Sequence, residues 1–143
     1  MYSKIVVTLD GSSQAECALA HAQALAKGLG VKLVLLQIVP YPEVRDEAVE
    51  SDWAAEARRY MNEFAEAIRG EGVETETEVL WGEVAEKIVE YVETDKQALL
   101  VMSTHGRTGL ARLAFGSVTE RVLKEAKTTP VLVVRCFLGA KTA

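Results

Sequence analysis

Short apolar runs alternate with amphipathic helical patterns along the whole of this 143-residue chain. The runs are rich in Val, Leu and Ile, and they show little alternation between apolar and polar residues. Such near-continuous apolar strands are needed where helices cover both faces of a parallel sheet. We therefore predict buried strands at Ile5–Leu9, Lys32–Val39, Ala98–Met102 and Val131–Val134.

A fifth strand-like segment, Val73–Leu80, has a different pattern. Glu74, Glu76 and Glu78 alternate with Val and Thr residues, so one face of this strand would carry three carboxylates. Charges in this arrangement prevent pairing with a foreign strand. The segment is predicted to be a solvated edge strand.

Apolar residues at spacings of three and four predict a helix between each pair of strands. Ser-x-x-Glu patterns at Ser13 and Ser117 indicate capping boxes at two helix starts, and glycines follow the ends of the first two helices. The stretch Tyr41–Ser51 shows no pattern and is predicted to be an irregular connection. The helices are predicted over Ser13–Leu29, over a segment containing Trp53, Ala57, Tyr60, Met61, Phe64 and Ile68, around Val84, Ile88 and Val92, and from about Val118 to Ala126.

The order β-α-β-α-β-α-β-α-β predicts right-handed crossovers and an open, doubly wound parallel sheet with helices on both faces. This is a Rossmann-like α/β fold of five strands. The chain has the length of one domain and shows no internal boundary, so residues 1–143 are expected to form a single domain.

Composition narrows the classes of function. A net charge of −5 argues against nucleic-acid binding as the main task. No apolar run approaches the length of a membrane span or a signal-peptide core, so we expect a cytoplasmic protein that does not insert into membranes. Cys17 and Cys136 form no CxxC motif and are expected to be reduced, buried thiols.

Two strand exits are unusually polar, and ligands of open α/β sheets bind beyond the carboxyl ends of strands. The first strand is followed by Asp10-Gly11-Ser12-Ser13, and the fourth by the segment from Ser103 to Gly109. After Phe115, the last helix begins at the sequence Gly-Ser-Val-Thr. Serine and threonine hydroxyls, helix amides and the helix dipole would together direct donors at an anion.

Charge placement supports a phosphate cradle between Ser103 and Thr119. No Asp or Glu occurs between Asp95 and Glu120, although the chain is acidic, and this window contains His105, Arg107 and Arg112. An alternative is that Ser117 only caps its own helix. Asp10 could likewise be only a turn residue, and His105 only a loop hydrogen-bonding residue.

Several enzyme signatures are absent from the sequence. There is no Gly-x4-Gly-Lys-(Ser/Thr) loop, no complete dinucleotide fingerprint and no clustered zinc ligand set. No candidate general base lies in the acid-free window. We therefore assign no catalytic residue.

These residues together resemble the universal stress protein family from about Lys4 to Arg135. The ATP-binding members carry Gly-x2-Gly-x9-Gly-(Ser/Thr), which falls here on Ser103, Gly106, Gly116 and Ser117, with serine replacing the first glycine. The blocks LDGS, THGRTGL and PVLVV are also similar to the family.

The resemblance implies a site for ATP, or for ADP or AMP, with Mg²⁺ held near Asp10. Asp10 would hold the ribose hydroxyls, and Thr8 would lie near the nucleotide. Ile38 would pack on adenine, with backbone hydrogen bonds from the second strand. The remaining implied contacts are Met102 and Ser103 on the sugar side, and Gly106, Arg107, Gly116, Ser117, Val118 and Thr119 at the phosphates.

The resemblance also implies a stress-response protein that acts as a nucleotide-dependent regulatory dimer. In the implied strand order 3-2-1-4-5, the last strand is an unguarded apolar edge, so a homodimer is expected through Val131–Arg135. A further protein partner is expected but unidentified. The alternatives are a dimer that binds no nucleotide and acts in interaction or chaperone-like roles, and a slow ATPase or self-phosphorylating protein.

Overall fold

The structure is a computed structural model that describes residues 1–105 and 115–135. Its described part contains five strands and four helices in strict alternation. Their bounds are β1 Lys4–Thr8, α1 Ser13–Leu29, β2 Lys32–Val39, α2 Glu47–Arg69, β3 Thr75–Trp81, α3 Val84–Glu93, β4 Ala98–Ser103, α4 Ser117–Glu125 and β5 Val131–Val134.

The strands form one parallel sheet in the order β3-β2-β1-β4-β5, which confirms the predicted fold class and strand order. β1 lies at the centre, and its residues Ile5, Val6 and Val7 are completely buried. The glutamate-bearing strand β3 lies at an edge, and Glu76 and Glu78 are exposed there, as predicted.

Side chains of the inner strands alternate between two apolar layers, one on each face of the sheet. On β2, Leu33 and Leu35 pack with α1 and α2, while Val34, Leu36 and Ile38 pack with α3 and α4. This double coverage explains why the central strands carry almost no polar residues.

The helix starts differ from the predicted capping boxes by one residue each. α1 is capped by Ser12, whose Oγ accepts a hydrogen bond from the Ala15 amide at 3.1 Å. α4 is preceded by Gly116, which has no side chain to act as a cap, so Ser117 is already the first helical residue. The prediction that Ser13 and Ser117 are cap residues is therefore wrong.

Two other predictions need correction. α2 begins at Glu47, capped by the Asp46 carboxylate, so part of the stretch expected to be irregular is helical. Cys17 on α1 is disulfide-bonded, so a reduced thiol is not found there; Cys136 lies outside the described residues. The predicted bounds of β2 and β5 are confirmed, and those of β1, β3 and β4 differ from the observed ones by one or two residues.

Glu93 joins the end of α3 to the connection between α4 and β5. Its carboxylate accepts hydrogen bonds from the amides of Lys127, Thr128 and Thr129 and from both threonine hydroxyls, at 2.6–3.3 Å. The Thr129 hydroxyl, followed by the backbone donors, lowers the pKa of Glu93 from 4.5 to about 2. The connection before the edge strand therefore depends on one ionised carboxylate.

Glu93→Gln is expected to lower the free energy of unfolding by about 1–3 kcal/mol at pH 7, because it removes charge-assisted bonds to several donors. The contribution of Glu93 is complete above its unfolded pKa of about 4.5 and is lost as the pH falls towards 2. Urea unfolding at pH 7 and pH 2.5 checks this. The difference between variant and wild type should shrink at the lower pH; an equal difference at both would contradict the carboxylate's role.

Candidate functional site

A cleft of about 710 Å³ opens at the carboxyl ends of the central strands. From β1, the chain first adds β2 and β3 on one side of the sheet and then adds β4 and β5 on the other side. The strand order therefore reverses at β1. This is the position at which open α/β sheets bind ligands. The described lining comes from the ends of β1, β2 and β4, the start of α1, the second to fourth turns of α2, the first half of α3 and the N-terminus of α4.

The described members of the predicted binding set all line this one cleft. The sequence had placed them in separate segments up to 111 positions apart, from Thr8 to Thr119. Gly106 and Arg107 lie outside the described residues. The residues that the fold brings together are Thr8, Asp10, Ile38, Met102, Ser103, Gly116, Ser117, Val118 and Thr119.

The exit of β1 is a tight turn held by Asp10. Its Oδ1 atom accepts hydrogen bonds from the Ser12 amide at 2.9 Å and the Ser12 hydroxyl at 2.6 Å. Gly11 adopts a φ of 88°, a left-handed conformation that few other residues tolerate. Asp10 therefore does stabilise a turn, which was the alternative role considered for it. The same turn places its carboxylate in the wall of the cleft.

The sequence predicts that the N-terminus of α4 binds phosphate. The first amides of a helix have no partner within it, and side chains of Ser12, Asp46 and Glu83 bond to such amides in the other described helices. No side chain caps α4 among the described residues. Within residues 1–105 and 115–135, α4 therefore differs from the other three helices in having no side-chain acceptor at its first-turn amides, and Gly116 to Thr119 line the cleft.

Two hydrogen bonds join the end of β4 to the start of α4. The Thr119 hydroxyl donates to the Ser103 carbonyl at 2.9 Å, and the Gly116 amide donates to the Thr104 carbonyl at 2.6 Å. The Ser103 hydroxyl in turn donates to the His105 carbonyl. The hydroxyl protons of Ser103 and Thr119 are thus engaged within the protein, so Ser117 supplies the exposed hydroxyl of this group.

The end of β2 leaves backbone groups directed at the cleft. β1 pairs with β2 only as far as Thr8 and Leu36, whereas β2 continues to Val39. The Leu36 carbonyl bonds towards β1, to Leu9, and the Val39 carbonyl bonds away from it, to Gly82. The backbone N–H and C=O groups of successive residues point to alternate sides of a strand. Those of Ile38 therefore point towards the side of β1, beyond the last residue of β1 that pairs with β2.

α2 supplies a wall that the sequence did not suggest. The residues that line the cleft from its second to fourth turns are Trp53, Glu56, Ala57 and Tyr60. The Tyr60 hydroxyl donates to the Glu16 carboxylate at 2.7 Å, and burial, followed by Glu16, raises the pKa of Tyr60. Tyr60 therefore stays neutral and fixes α2 against α1.

Gln37 adds a polar group beside this wall. Among the described residues its Oε1 is the one buried side-chain polar atom that has no hydrogen-bond partner. Gln37 lies opposite Val79, which packs in the α1–α2 layer, so its side chain is on the same face as α2. Because uncompensated buried acceptors are costly, Gln37 is a candidate to bond a ligand.

Metal binding would need help from a ligand. In residues 1–105 and 115–135, no group of three or more His, Cys, Asp or Glu side chains could hold an ion by itself. Mg²⁺ is commonly held by one or two carboxylates together with phosphate oxygens. Asp10 fits that pattern only if the phosphates bring the remaining ligands.

The described helices also include none that is long and apolar enough to cross a bilayer.

Comparison with known proteins adds an independent line of evidence. Residues 1–135 match the Universal stress protein family. The chain is 37% identical over 142 residues to the universal stress protein MJ0531 of Methanocaldococcus jannaschii, covering 94% of this chain and 83% of that protein.

Solved structures agree with the sequence match. The structure of MJ0577, from the same archaeon, superposes with a TM-score of 0.85 and 30% identity, covering 96% of this chain and 99% of that one. A universal stress protein from Archaeoglobus fulgidus, solved in complex with dAMP, gives a TM-score of 0.70 and 27% identity, covering 93% and 98%. On its sequence and its fold, the chain belongs to the universal stress protein family.

Proposed function

We propose that this protein binds an adenine nucleotide in the cleft and acts in the cytoplasm as a nucleotide-dependent regulatory protein of the stress response. The observation that carries the proposal is the N-terminus of α4, which no side chain among the described residues caps and which lines the cleft together with Asp10 and the end of β2. The dAMP complex of the Archaeoglobus relative supports the choice of adenine nucleotides.

Each part of the nucleotide has a matching part of the cleft. The phosphates would lie at the first-turn amides and hydroxyl of Ser117, where the helix dipole favours negative charge. The ribose hydroxyls would bond to the Asp10 carboxylate. The adenine edge, which carries one donor and adjacent acceptors, would meet the N–H and C=O of Ile38. Thr8 and Met102 would close the cleft beneath the sugar.

The chemistry of the lining favours binding over turnover. Asp10 would hold Mg²⁺ only when ATP supplies phosphate oxygens. The Ser103 and Thr119 hydroxyls in the lining donate to backbone carbonyls, so neither is activated by an adjacent base. We therefore place the function in sensing nucleotide occupancy. A slow ATPase would instead show phosphate release above background that disappears in Asp10→Ala.

Mass spectrometry of small molecules released by denaturing the purified protein tests the proposal. We expect AMP, ADP or ATP at a sizeable fraction of one per chain, and a much smaller fraction from a Ser117→Glu variant. If neither sample releases nucleotide and none binds on addition, the chain would instead act as an interaction protein that needs no nucleotide.

A homodimer through β5 is part of the proposal. β5 is the outer strand beside β4, and Leu132 is 38% exposed on it. The carbonyls of Pro130 and Val134 bond to β4, so by alternation the backbone groups of Val131 and Val133 point outwards. This open apolar edge could pair with the same strand of a second copy.

Val133→Pro is expected to convert the dimer into a monomer, because it removes an outward N–H without removing a bond to β4. Light scattering after size exclusion measures the mass, and Val133→Thr, which keeps the N–H, is the matched control. A wild-type monomer at micromolar concentration, or a dimeric Val133→Pro protein, would contradict dimerisation through this edge.

A further inference from the structure

Trp53 is a large aromatic side chain that the fold leaves partly uncovered in the cleft. It lies in the second turn of α2, is 39% exposed and lines the cleft wall together with Ala57 and Tyr60. The core-facing stripe of α2 continues with fully packed residues such as Met61. Trp53 therefore continues that stripe beyond the core and into the cleft.

The other tryptophan shows the contrast. Trp81 stacks on Tyr41 with ring centroids 5.3 Å apart and an interplanar angle of 20°. Within the described residues Trp53 makes no such ring contact; Tyr60, its neighbour two turns along, packs edge-on against Phe64. Trp53 is thus a partly exposed aromatic side chain in the cleft wall, where stacking against an aromatic ligand would be favourable.

The position of Ile38 fixes how a base would meet this ring. The Ile38 N–H and C=O lie in the plane of the sheet, so a base bonded to them would lie close to that plane, between the two helical layers. One face of the base would then look towards α3, where Val84 and Ile88 line the cleft, and the other towards α2. Ala57, one turn after Trp53, also lines the cleft and has only a methyl side chain.

We propose that Trp53 stacks on the α2-facing side of the adenine base and is a specificity-determining residue of the site. The inference rests on the proposed nucleotide function and names the wall that covers the base. Stacking is tolerant of base identity but requires a base, so Trp53 should contribute to binding of nucleotides and not of sugar phosphates.

Intrinsic fluorescence of two single-tryptophan variants tests the contact directly. Trp81→Phe leaves Trp53 as the reporter, and Trp53→Phe leaves Trp81; the chain contains two tryptophans. We expect saturable quenching by AMP in Trp81→Phe and little change in Trp53→Phe. Ribose 5-phosphate should leave both unchanged at equal occupancy.

Calorimetry with AMP gives the energetic test. Trp53→Ala is expected to weaken AMP binding about tenfold, and Trp53→Phe, which keeps an aromatic ring, by less. Binding of ribose 5-phosphate should be equal in wild type and Trp53→Ala. The fold of each variant is checked by circular dichroism and urea unfolding.

The possible outcomes distinguish a failure of the stacking inference from a failure of the proposed nucleotide-binding function. If wild type binds AMP and Trp53→Ala binds it equally well without a fluorescence change in Trp81→Phe, the stacking inference is wrong and the nucleotide function stands. If wild type binds no adenine nucleotide, both are overturned. Equal losses of AMP and ribose 5-phosphate binding in Trp53→Ala would mean a general structural role and would also overturn stacking.

Discussion

Ser117→Glu is expected to weaken AMP binding at least about 100-fold while leaving α4 folded. The new carboxylate would lie in the first turn of α4, where it interacts well with the helix dipole but occupies and repels the phosphate position. The side chain of Ser117 is exposed in the cleft, so glutamate meets no packing conflict there. Calorimetric titration with AMP measures the loss.

Ser117→Gln is the matched control, because it has nearly the same size and no charge. It should weaken AMP binding by less than about tenfold, the cost of one lost hydroxyl bond. Urea unfolding of Ser117→Glu should give a midpoint no lower than that of Ser117→Gln. Equal AMP affinity in the two variants would place the phosphate elsewhere than at α4.

Asp10→Asn is expected to weaken AMP binding about tenfold without unfolding the β1 exit. Asparagine can accept the same bonds from Ser12 and keep the turn. It loses the charge that raises the contribution of a hydrogen bond from the ribose hydroxyls from about 1 kcal/mol to about 1.5–3 kcal/mol. Parallel titrations with AMP and 2′,3′-dideoxy-AMP measure it.

The dideoxy nucleotide serves as the internal control for Asp10. Wild type should prefer AMP over the dideoxy form, and Asp10→Asn should bind the two almost equally, because the lost interaction needs the hydroxyls. A variant that weakens both ligands by the same factor would show that Asp10 acts only through the turn. Asp10→Ala removes the turn as well and should also lower the urea midpoint.

Much of the fold could be predicted because its strands are buried on both faces. Burial of this kind demands apolar runs such as those of β1 and β2, and the glutamates of β3 identify an edge. Ligands of open α/β sheets bind beyond the carboxyl ends of the strands, and applying this rule requires only the strand order. The rule therefore predicted that Asp10, Ser103 and Ser117 lie in the wall of the cleft.

The details that sequence reasoning missed depend on tertiary contacts. Ser12 and Ser13 are equally suited to cap α1, and only the backbone path after Asp10 decides between them. A serine in a helix-start motif likewise suggested a capped α4, whereas Ser117 is the first helical residue and Gly116, which precedes it, has no side chain to act as a cap.

Trp53 was missed for a different reason. Its spacing from Ala57 and Tyr60 predicts a core-facing stripe, and periodicity alone cannot show where along the helix the core ends. Only the packing of α2 against β2 and β3 shows that Trp53 lies beyond the last covered turn. Sequence could therefore assign the strand ends and the start of α4 to the cleft, but not its α2 wall.

Calorimetric titration of the full chain with AMP, and with ATP in the presence of Mg²⁺, tests the central claim most directly. We predict saturable binding at sub-millimolar nucleotide with one adenine nucleotide per chain, and no comparable binding of a nucleoside that lacks phosphate. No saturable binding of either nucleotide at millimolar concentration, confirmed by equilibrium dialysis, would contradict the nucleotide-binding function.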